Sequence, residues 1–402
     1  MIPSALAPFG HGVASLAGRT VLQIIPRLDA GGSERTAVDI AQALVEVGAR
    51  ALVASEGGRM ASELQAVGGV LIPFPAASKN PLAMIFNARR LARILFRERV
   101  DLVHARSRAP AWVALGACRI AERPFVTTYH GAYSGGSSLK LRYNSVMARG
   151  DAVIANSNYT AALIERLYPE ARERLAVIPR GTDLRAFSPG RVDRSRVAKL
   201  RQAWGVAPNE RIVLTAARLT GWKGQRVLIE AAARLREQGF EDIRYILAGD
   251  AQGRDGYVKE LDALIARHNL KGVVSRVGHC ADMPAALLAA EVVAVPSTEP
   301  EAFGRSAVEA QAMGALVVVT DIGAVPETVL SPPEVAADER TGWRVPPNDP
   351  QALAEALQTA LNLGASARDD IARRARVHVE KHFSLQQMKD RTLQVYLSLL
   401  HT

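Results

Sequence analysis

The sequence predicts an α/β protein made of two doubly wound domains in tandem, and three observations support this prediction. The chain has 402 residues, which exceeds the roughly 100–200 residues of one ordinary domain. Short apolar runs alternate with longer segments of helical periodicity, which is the pattern of a parallel sheet covered by helices on both faces. The alternation pauses at residues 178–190, which are rich in Gly, Pro and Asp, and begins again at Arg211.

The strand predictions follow the apolar runs in chain order. Seven fall in the first half: Val21–Ile25, Ala49–Ser55, Val70–Phe74, Asp101–Ala105, Phe125–Tyr129, Ala152–Asn156 and Leu175–Ile178. Five fall in the second half: Ile212–Ala216, Ile243–Ala248, Val273–Val277, Val292–Val295 and Leu316–Thr320. Helices are predicted between them, and a last helix is expected to begin after Ser384 as its N-cap.

The segment Pro81–Arg99 predicts a cationic amphipathic helix. Its apolar residues are placed on one side of the helix: Leu82, Ile85, Phe86, Leu91, Ile94 and Leu95. Arginines populate much of the remaining surface: Arg89, Arg90, Arg93, Arg97 and Arg99.

The composition is that of a soluble globular protein, with 48% hydrophobic, 22% charged and 5% aromatic residues. The two cysteines, Cys118 and Cys280, form neither a disulfide framework nor a zinc-type spacing, which indicates a reducing compartment. No apolar run approaches the roughly 20 residues of a membrane span. Residues 1–19 are interpreted as a loose tail, because they lack the early cation of a secretory signal. We therefore expect a cytoplasmic protein.

The net charge of +10 is placed unevenly along the chain. Residues 1–185 hold 23 Lys and Arg against 14 Asp and Glu, whereas residues 186–402 hold 27 against 26. The excess in the first half is compatible with nucleic acid, anionic lipid or a phosphorylated substrate, because net charge governs association and not fold. It is equally compatible with an arginine-rich surface that binds nothing.

A glycine loop follows the first predicted strand. The segment RLDAGGSER, residues 27–35, places Gly31 and Gly32 just before a helix that Ser33 would cap. Two glycines leave room for a ligand at a helix N-terminus, which attracts anions. The spacing is not G-x-G-x-x-G, and this weighs against a dinucleotide site. An ordinary glycine turn is the alternative.

A histidine ends the fifth predicted strand. In the segment TTYHG, residues 127–131, His130 stands at the carboxyl end of a strand and precedes a glycine. An imidazole at this position is able to donate a hydrogen bond to a sugar hydroxyl or to a phosphate. A lone histidine is also compatible with a purely structural role.

Two cations follow the first strand of the second half. In AARLTGWKGQ, residues 216–225, Arg218 and Lys223 flank a loop that contains Gly221. A guanidinium fork and an ammonium point charge together suit one diphosphate and neutralise it without a metal. The sequence contains no Asp-x-Asp pair, the familiar metal clamp of nucleotide-sugar chemistry. A solvated surface loop is the alternative.

The most specific motif is EPEAFGRSAVEAQAMG, residues 299–314, after the strand Val292–Val295. Glu301 and Glu309 form an E-x7-E pair, with Glu309 about one and a half turns into a helix that begins near Gly304. The amides at the helix N-terminus suit phosphate oxygens, and a carboxylate accepts two vicinal sugar hydroxyls. These amides belong to Gly304, Arg305 and Ser306.

With these four motifs in order, the chain from about Thr20 onward resembles the retaining glycosyltransferases of family 4. The resemblance implies the GT-B fold, in which two Rossmann-like domains face each other across a cleft and the last helix crosses back to the first domain. It further implies an acceptor-side domain over residues 20–185 with 384–402, and a nucleotide-sugar domain over residues 186–383. Residues 1–19 remain as the tail.

The resemblance also assigns roles to residues of this sequence. Arg218 and Lys223 are similar to the family's diphosphate-binding pair, Glu309 to its ribose carboxylate, and Glu301 to the residue that contacts the transferred sugar. Phe303 through Ser306 resemble the loop that touches sugar and phosphate, and Gly31 and Gly32 resemble the first-domain phosphate loop. His130 resembles the cleft histidine. Gly249 lies where the family has a Gly-Asp-Gly turn, although Ala251 replaces the last glycine, and the nucleotide base stays open.

The reaction implied is transfer of a hexose-type sugar from a nucleoside-diphosphate sugar, with retention and with neither metal nor cofactor. The expected acceptor is a saccharide or lipid-linked glycan, as in lipopolysaccharide and cell-envelope biosynthesis, met at an anionic membrane surface by a peripheral cytoplasmic enzyme. Nucleic acid is not an expected partner. Three alternatives remain: a GT-B nucleotide-sugar epimerase, an NAD-dependent oxidoreductase, and a non-catalytic glycan- or lipid-binding protein.

Overall fold

The protein divides into two compact units. The computed structural model describes residues 15–29, 31–131 and 137–400. Unit 1 takes in the described residues up to Gly181 together with those from Gln386 onward, and unit 2 spans Thr182–Leu385. Residues 1–14 of the predicted tail lie outside the described residues, whereas Leu16, near its end, is buried in unit 1.

Unit 1 contains a seven-stranded parallel sheet in the order β3-β2-β1-β4-β5-β6-β7. Its strands are β1 Thr20–Ile24, β2 Arg50–Ser55, β3 Val70–Pro73, β4 Leu102–Ala105, β5 Phe125–Tyr129, β6 Ala152–Ala155 and β7 Leu175–Val177. The central strands are buried on both faces, as expected for parallel strands covered by helices on each side.

Unit 2 contains a six-stranded parallel sheet in the order β10-β9-β8-β11-β12-β13. Its strands are β8 Arg211–Ala216, β9 Ile243–Ala248, β10 Val274–Gly278, β11 Val292–Val295, β12 Leu316–Thr320 and β13 Trp343–Val345. In both units the strand order reverses once, between β1 and β4 and between β8 and β11. Ligands of such sheets bind beside the carboxyl ends of strands at this reversal.

Helices connect the strands of each sheet. In unit 1 they are α1 Gly32–Glu46, α2 Ala61–Ala66, α3 Pro81–Arg97, α4 Arg108–Ala121, α5 Ser138–Asn144, α6 Asn158–Leu167 and, at the end of the chain, α15 Leu385–Leu400. In unit 2 they are α7 Arg194–Ala203, α8 Gln225–Glu237, α9 Asp255–Arg267, α10 Met283–Ala289, α11 Arg305–Ala312, α12 Val325–Thr328, α13 Pro350–Leu361 and α14 Ala365–His382. Short 3₁₀ turns occupy Ser145–Ala148, Pro169–Arg174, Pro189–Arg191 and Gly221–Lys223.

The predicted fold class is confirmed, and each of the twelve predicted strands is present with its ends within one residue. The sequence prediction missed β13, because three residues of which only Trp343 and Val345 are apolar give no recognisable run. The last helix follows Ser384, as expected, and its residues from Gln386 onward belong to unit 1. There Tyr396 is fully buried.

The predicted cationic amphipathic helix is present as α3. Its apolar residues differ in burial: Leu91, Ile94 and Leu95 are buried, whereas three others are exposed, Leu82 by 68%, Ile85 by 56% and Phe86 by 67%. The helix packs on α4, and the buried stripe lies in its second half. An apolar stripe read from periodicity alone shows which side of a helix a residue occupies, but not how far along the helix its neighbour extends.

Candidate active site

The candidate residues of unit 2 come from the loops that follow β8 and β11, the two neighbouring strands at the strand-order reversal. These loops are joined directly, because the Thr298 amide donates to the Trp222 carbonyl at 2.8 Å. Gly224 permits the close approach. It adopts a left-handed conformation with φ of 70°, and a Cβ there would lie 1.7 Å from the Pro296 carbonyl oxygen.

Lys223 and Glu301 form an ion pair across these two loops, although 78 positions separate them in the chain. Both side chains are largely buried, with exposed fractions of 15% and 10%. The Ser297 hydroxyl donates to the same Glu301 Oε1 at 2.6 Å, and Lys223 Nζ lies 4.2 Å from the centroid of the Trp222 ring. The ammonium is therefore held in one place by a carboxylate and an aromatic face.

The second carboxylate, Glu309, is the fifth of the eight residues of α11. Gly304 precedes this helix in a left-handed conformation, and Arg305 and Ser306 are its first two residues. Arg305 Nε donates to Glu309 Oε1 at 2.5 Å, and the Ser306 hydroxyl donates to the Ala216 carbonyl at the end of β8 at 2.9 Å. The amides of a first turn have no acceptor inside the helix, so this helix start suits an anion.

Arg218 differs from Lys223 in its surroundings. It is exposed, and its carbonyl accepts a hydrogen bond from the buried Gln225 side chain at 2.9 Å. Among the described residues, no ion pair or hydrogen bond of its guanidinium is found. Glu301 and Glu309 are each paired with another cation, so neither compensates the charge of Arg218.

Phe303 and Gly249 each contact other groups of unit 2. The Phe303 ring is buried and packs edge to face on Phe383, with ring centroids 5.4 Å apart. This contact anchors the loop that carries Glu301. Gly249 follows β9, and its amide donates to the Gly278 carbonyl at 2.8 Å. The loop after β9 is thereby tied to the end of β10.

In unit 1, the glycine loop precedes α1 as predicted, but Ser33 does not cap the helix. The helix begins at Gly32, with Gly31 in the N-cap position and no side-chain cap. Ser33 lies inside the first turn, and its hydroxyl donates to the Glu34 carboxylate at 2.7 Å. The glycine at position 31 therefore takes the place that the sequence had suggested for the serine.

His130 follows β5 and contacts Arg180, which follows β7. Arg180 Nη2 lies 2.8 Å from His130 Nδ1. The residue as a whole is partly exposed, yet its Nε2 atom is buried and has no hydrogen-bond partner within the described ranges. Desolvation, followed by the charges of Arg180 and Arg106, holds the pKa of His130 well below its usual range. The imidazole is therefore neutral near pH 7.

A second histidine, His104, is completely buried in the same unit. Its Nδ1 lies 2.6 Å from the Tyr396 hydroxyl of α15, and its Nε2 lies 2.7 Å from the Thr128 hydroxyl. Burial, with a further contribution from the Arg106 charge, holds its pKa well below the usual range. Through this contact α15 is bound to the centre of the unit 1 sheet.

These two histidines predict an acid-sensitive stability. A group whose folded pKa is depressed below the unfolded value of about 6.5 binds fewer protons when folded, so stability falls as pH decreases below that value. Each histidine contributes a slope of up to about 1.4 kcal/mol per pH unit. We expect the Tm to decrease when the pH is lowered from 7.5 to 5.5. The decrease in Tm should be smaller in His104→Gln. An equal loss in both proteins, measured by calorimetry, would contradict the assignment to His104.

Sequence reasoning missed Arg180, Ser297 and Trp222. Arg180 and Ser297 stand within three residues of the end of a predicted strand, and Trp222 lies beside Lys223 in a loop already recognised. The position after a strand was thus the available signal. It did not reveal which partner each side chain has, because the contacts are between loops distant in the chain.

Two family models match the chain in succession. "Glycosyltransferase Family 4" matches residues 30–186, and "Glycosyl transferases group 1" matches residues 197–378. The first match contains Gly31, Gly32 and His130, and the second contains the candidate residues of unit 2.

Curated relatives of this chain are also named as glycosyltransferases. A D-inositol 3-phosphate glycosyltransferase of Nocardia farcinica is 31% identical over 75% of this chain and 72% of its own length. The same enzyme of Jonesia denitrificans is 32% identical over 59% of this chain, and this chain spans about half of its length, 54%. The putative colanic acid biosynthesis glycosyltransferase WcaL of Escherichia coli is 31% identical over 64% of this chain and 59% of its own length.

A solved structure extends the likeness over almost the whole fold. Anabaena HepE, crystallised in complex with UDP and glucose, is 28% identical to this chain, with a TM-score of 0.82 over 95% of this chain and 100% of the other. Two parallel Rossmann-like sheets, a returning last helix and the successive matches of both family models lead to one conclusion. The chain belongs to the family 4 glycosyltransferases and has the GT-B fold.

Proposed function

We propose that this protein transfers a hexose-type sugar from a nucleoside-diphosphate sugar to a hydroxyl of a saccharide or lipid-linked glycan, with retention and without a metal. One observation carries the proposal. The loops after β8 and β11 bring a buried Lys223–Glu301 pair and an Arg305–Glu309 pair to the strand-order reversal of unit 2, where such sheets bind nucleotides.

In this proposal, unit 2 stabilises the charge that develops on the departing diphosphate. Arg218 and Lys223 face its oxygens, together with the amides of Gly304, Arg305 and Ser306 at the start of α11. Glu309 accepts hydrogen bonds from the ribose hydroxyls and Glu301 from the hydroxyls of the transferred sugar. In unit 1, Gly31 and Gly32 approach the phosphates, and His130 donates a hydrogen bond to a substrate oxygen.

The chemical step breaks the bond between the anomeric carbon and the diphosphate oxygen and forms a bond to the acceptor oxygen. The acceptor attacks from the same face as the leaving group, so the anomeric configuration is retained. Its hydroxyl proton passes to the departing diphosphate oxygen, because Glu301 is already engaged by Lys223 and Ser297. Positioning and electrostatic stabilisation supply the rate enhancement in place of an enzyme nucleophile.

A panel of nucleotide-sugars tests the donor, with UDP-glucose first because the Anabaena structure contains UDP and glucose. GDP- and ADP-sugars complete it. A true donor raises the Tm, since a ligand present at 100 times its Kd stabilises the folded state by about 2.7 kcal/mol. It also yields nucleoside diphosphate together with a glycoside. Release of diphosphate with no glycoside would indicate an epimerase, and no thermal shift with any donor would remove the proposed site.

For the acceptor we propose a membrane-linked glycan of the cell envelope, in keeping with the name of the WcaL relative. A phosphorylated polyol is the second candidate, because two of the relatives are named D-inositol 3-phosphate glycosyltransferases. Each acceptor is incubated with the enzyme and the donor found above, and the glycoside that forms shows which acceptor is used. Retention is read from the anomeric proton coupling of that product, and metal independence from turnover in EDTA.

We further propose that an anionic membrane surface is the partner of unit 1 and that the enzyme is peripheral on the cytoplasmic side. Helix α3 exposes Leu82, Ile85 and Phe86 in its first two turns, and the exposed Arg89 and Arg93 follow on the same helix. The helix contains four arginines and no acidic residue. This combination suits anionic headgroups above an apolar bilayer boundary. No described helix is long and apolar enough to cross a bilayer.

Flotation with vesicles of phosphatidylglycerol tests this partner. Changing Arg89, Arg90, Arg93 and Arg97 to Gln should abolish most recovery, since each cation near the surface contributes about 1 kcal/mol. Changing Leu82, Ile85 and Phe86 to Gln should weaken recovery even at low salt. Ile120→Gln removes an apolar side chain of 51% exposure from α4 and serves as the matched control. Equal recovery of wild type and the four-arginine variant would contradict the proposal.

A further inference from the structure

The contact between Arg180 and His130 determines which nitrogen of the imidazole carries the proton. Every nitrogen of a guanidinium is a donor, so the His130 Nδ1 atom, 2.8 Å from Arg180 Nη2, must accept. A neutral imidazole has one N–H group, which is then at Nε2. Protonation of Nδ1 would place two donors against each other beside a positive charge.

The sequence and the backbone place Arg180 for this contact. It lies two residues after Ile178, whose amide donates to the Ala155 carbonyl at 2.8 Å and so extends the register of β7 beside β6. The next residue, Gly181, donates its amide to the Met388 sulfur of α15 at 3.2 Å. The backbone on both sides of Arg180 is thus tied to unit 1.

Gly32 provides the space that the guanidinium occupies. A Cβ at position 32 would lie 1.9 Å from Arg180 Nη1, so any side chain there must displace the guanidinium. The backbone of Gly32 has no positive φ, and alanine would therefore fit its conformation as the first residue of α1. A side chain at position 32 would therefore move the guanidinium away from its place without straining the backbone.

We propose that Arg180 is a positioning residue: it holds His130 in the Nε2–H tautomer, so that His130 acts on the substrate as a hydrogen-bond donor and not as a base. This inference rests on the proposed function for its catalytic consequence. The tautomer itself is a property of the free protein. The Nε2 atom is buried and has no hydrogen-bond partner among the described residues, so no protein group there takes up its N–H. In the proposed reaction this N–H group donates to a substrate oxygen.

Nitrogen NMR of protein labelled with ¹⁵N-histidine measures the tautomer without any substrate. The His130 resonances are assigned by their absence in His130→Gln. In the wild type, Nδ1 should show the shift of an unprotonated nitrogen and Nε2 that of a protonated one. In Arg180→Met, which removes the donor but keeps a long side chain, the two shifts should move towards each other. Identical shifts in wild type and Arg180→Met would overturn the proposal.

Gly32→Ala provides a second test that keeps the arginine in the chain. Its Cβ should displace the guanidinium and produce the same change in the His130 resonances as Arg180→Met. Arg119→Met removes an exposed arginine from α4 and should leave the resonances as in the wild type. An unchanged His130 tautomer in a folded Gly32→Ala protein, verified by its Tm, would contradict the placement of Arg180.

Turnover tests the catalytic consequence separately. Arg180→Met should lower kcat by about 10- to 100-fold with little change in the KM for the nucleotide-sugar, because the wrong tautomer loses a hydrogen bond to a substrate oxygen that gains charge in the reaction. In a His130→Ala background the same substitution should change kcat by less than about 2-fold, since the two residues act as one unit. A full additional loss in that background would overturn the positioning role. Full turnover of His130→Ala would instead remove His130 from the proposed reaction, while the tautomer result stands.

Discussion

Lys223→Ala should lower kcat/KM by about 10²- to 10³-fold, the loss expected when one preorganised donor to a developing negative charge is removed. The structure gives the reason. The ammonium is held between the Glu301 carboxylate and the Trp222 ring, so it needs little reorganisation when the diphosphate departs. Steady-state kinetics with the donor identified above measure the effect.

The variant also leaves the largely buried Glu301 carboxylate without its cation, which costs roughly 1–3 kcal/mol of stability. Kinetics are therefore measured well below the Tm of the variant. Arg226→Ala serves as the matched control, because Arg226 is a cation three positions further on that pairs with Glu260 at the surface. Near-normal kcat/KM in Lys223→Ala would show that the diphosphate binds elsewhere.

Glu309→Gln should weaken binding of the nucleoside diphosphate by about 10- to 100-fold, because a hydrogen bond to a charged group contributes roughly 1.5–3 kcal/mol. Glutamine keeps the shape of the side chain but replaces one acceptor oxygen by a donor. It also removes the charge that orients Arg305 at 2.5 Å. Titration calorimetry with the diphosphate gives the change in Kd, and kcat/KM should fall with it.

Glu260→Gln changes an exposed carboxylate of the same unit, paired with Arg226, and should bind the diphosphate as the wild type does. If Glu309→Gln kept full affinity, the carboxylate would serve only to hold Arg305 at the start of α11. The ribose assignment would then be lost, while the Lys223 prediction would still stand on its own observation.

Most of the fold was predictable, because the pattern of apolar residues within a short segment indicates a buried strand. The strands of a doubly wound sheet are buried on both faces, so β6 and β11 appear in the sequence as continuous apolar runs. β13 was missed because three residues cannot form such a run. Periodicity placed the apolar residues of α3 on one side of the helix but could not show which of them are exposed, because burial of Leu82 or Phe86 depends on a neighbouring helix.

The candidate site was predictable as a set of residues but not as a set of contacts. The rule that ligands bind after strand ends pointed to Lys223, Glu301 and His130 from the sequence. It could not show that Lys223 pairs with Glu301, 78 positions away, or that Arg180 lies against His130, 50 positions away. Their assignment to a sugar and a diphosphate remains a prediction for the variants above to test.

The sequence by itself determined the positions of twelve strands, the two-unit organisation and the loops proposed to carry the chemistry, because the spacing of apolar residues and the positions of glycines are local properties of a chain. Only the tertiary structure decided the protonation geometry of His130 and the partner of each charged group. Those depend on distances of a few ångströms between loops remote in sequence, and hydrogen bonds form or fail within about half an ångström. Gly32 illustrates the difference: the sequence offered it to a ligand, and the structure shows that Arg180 already occupies that space.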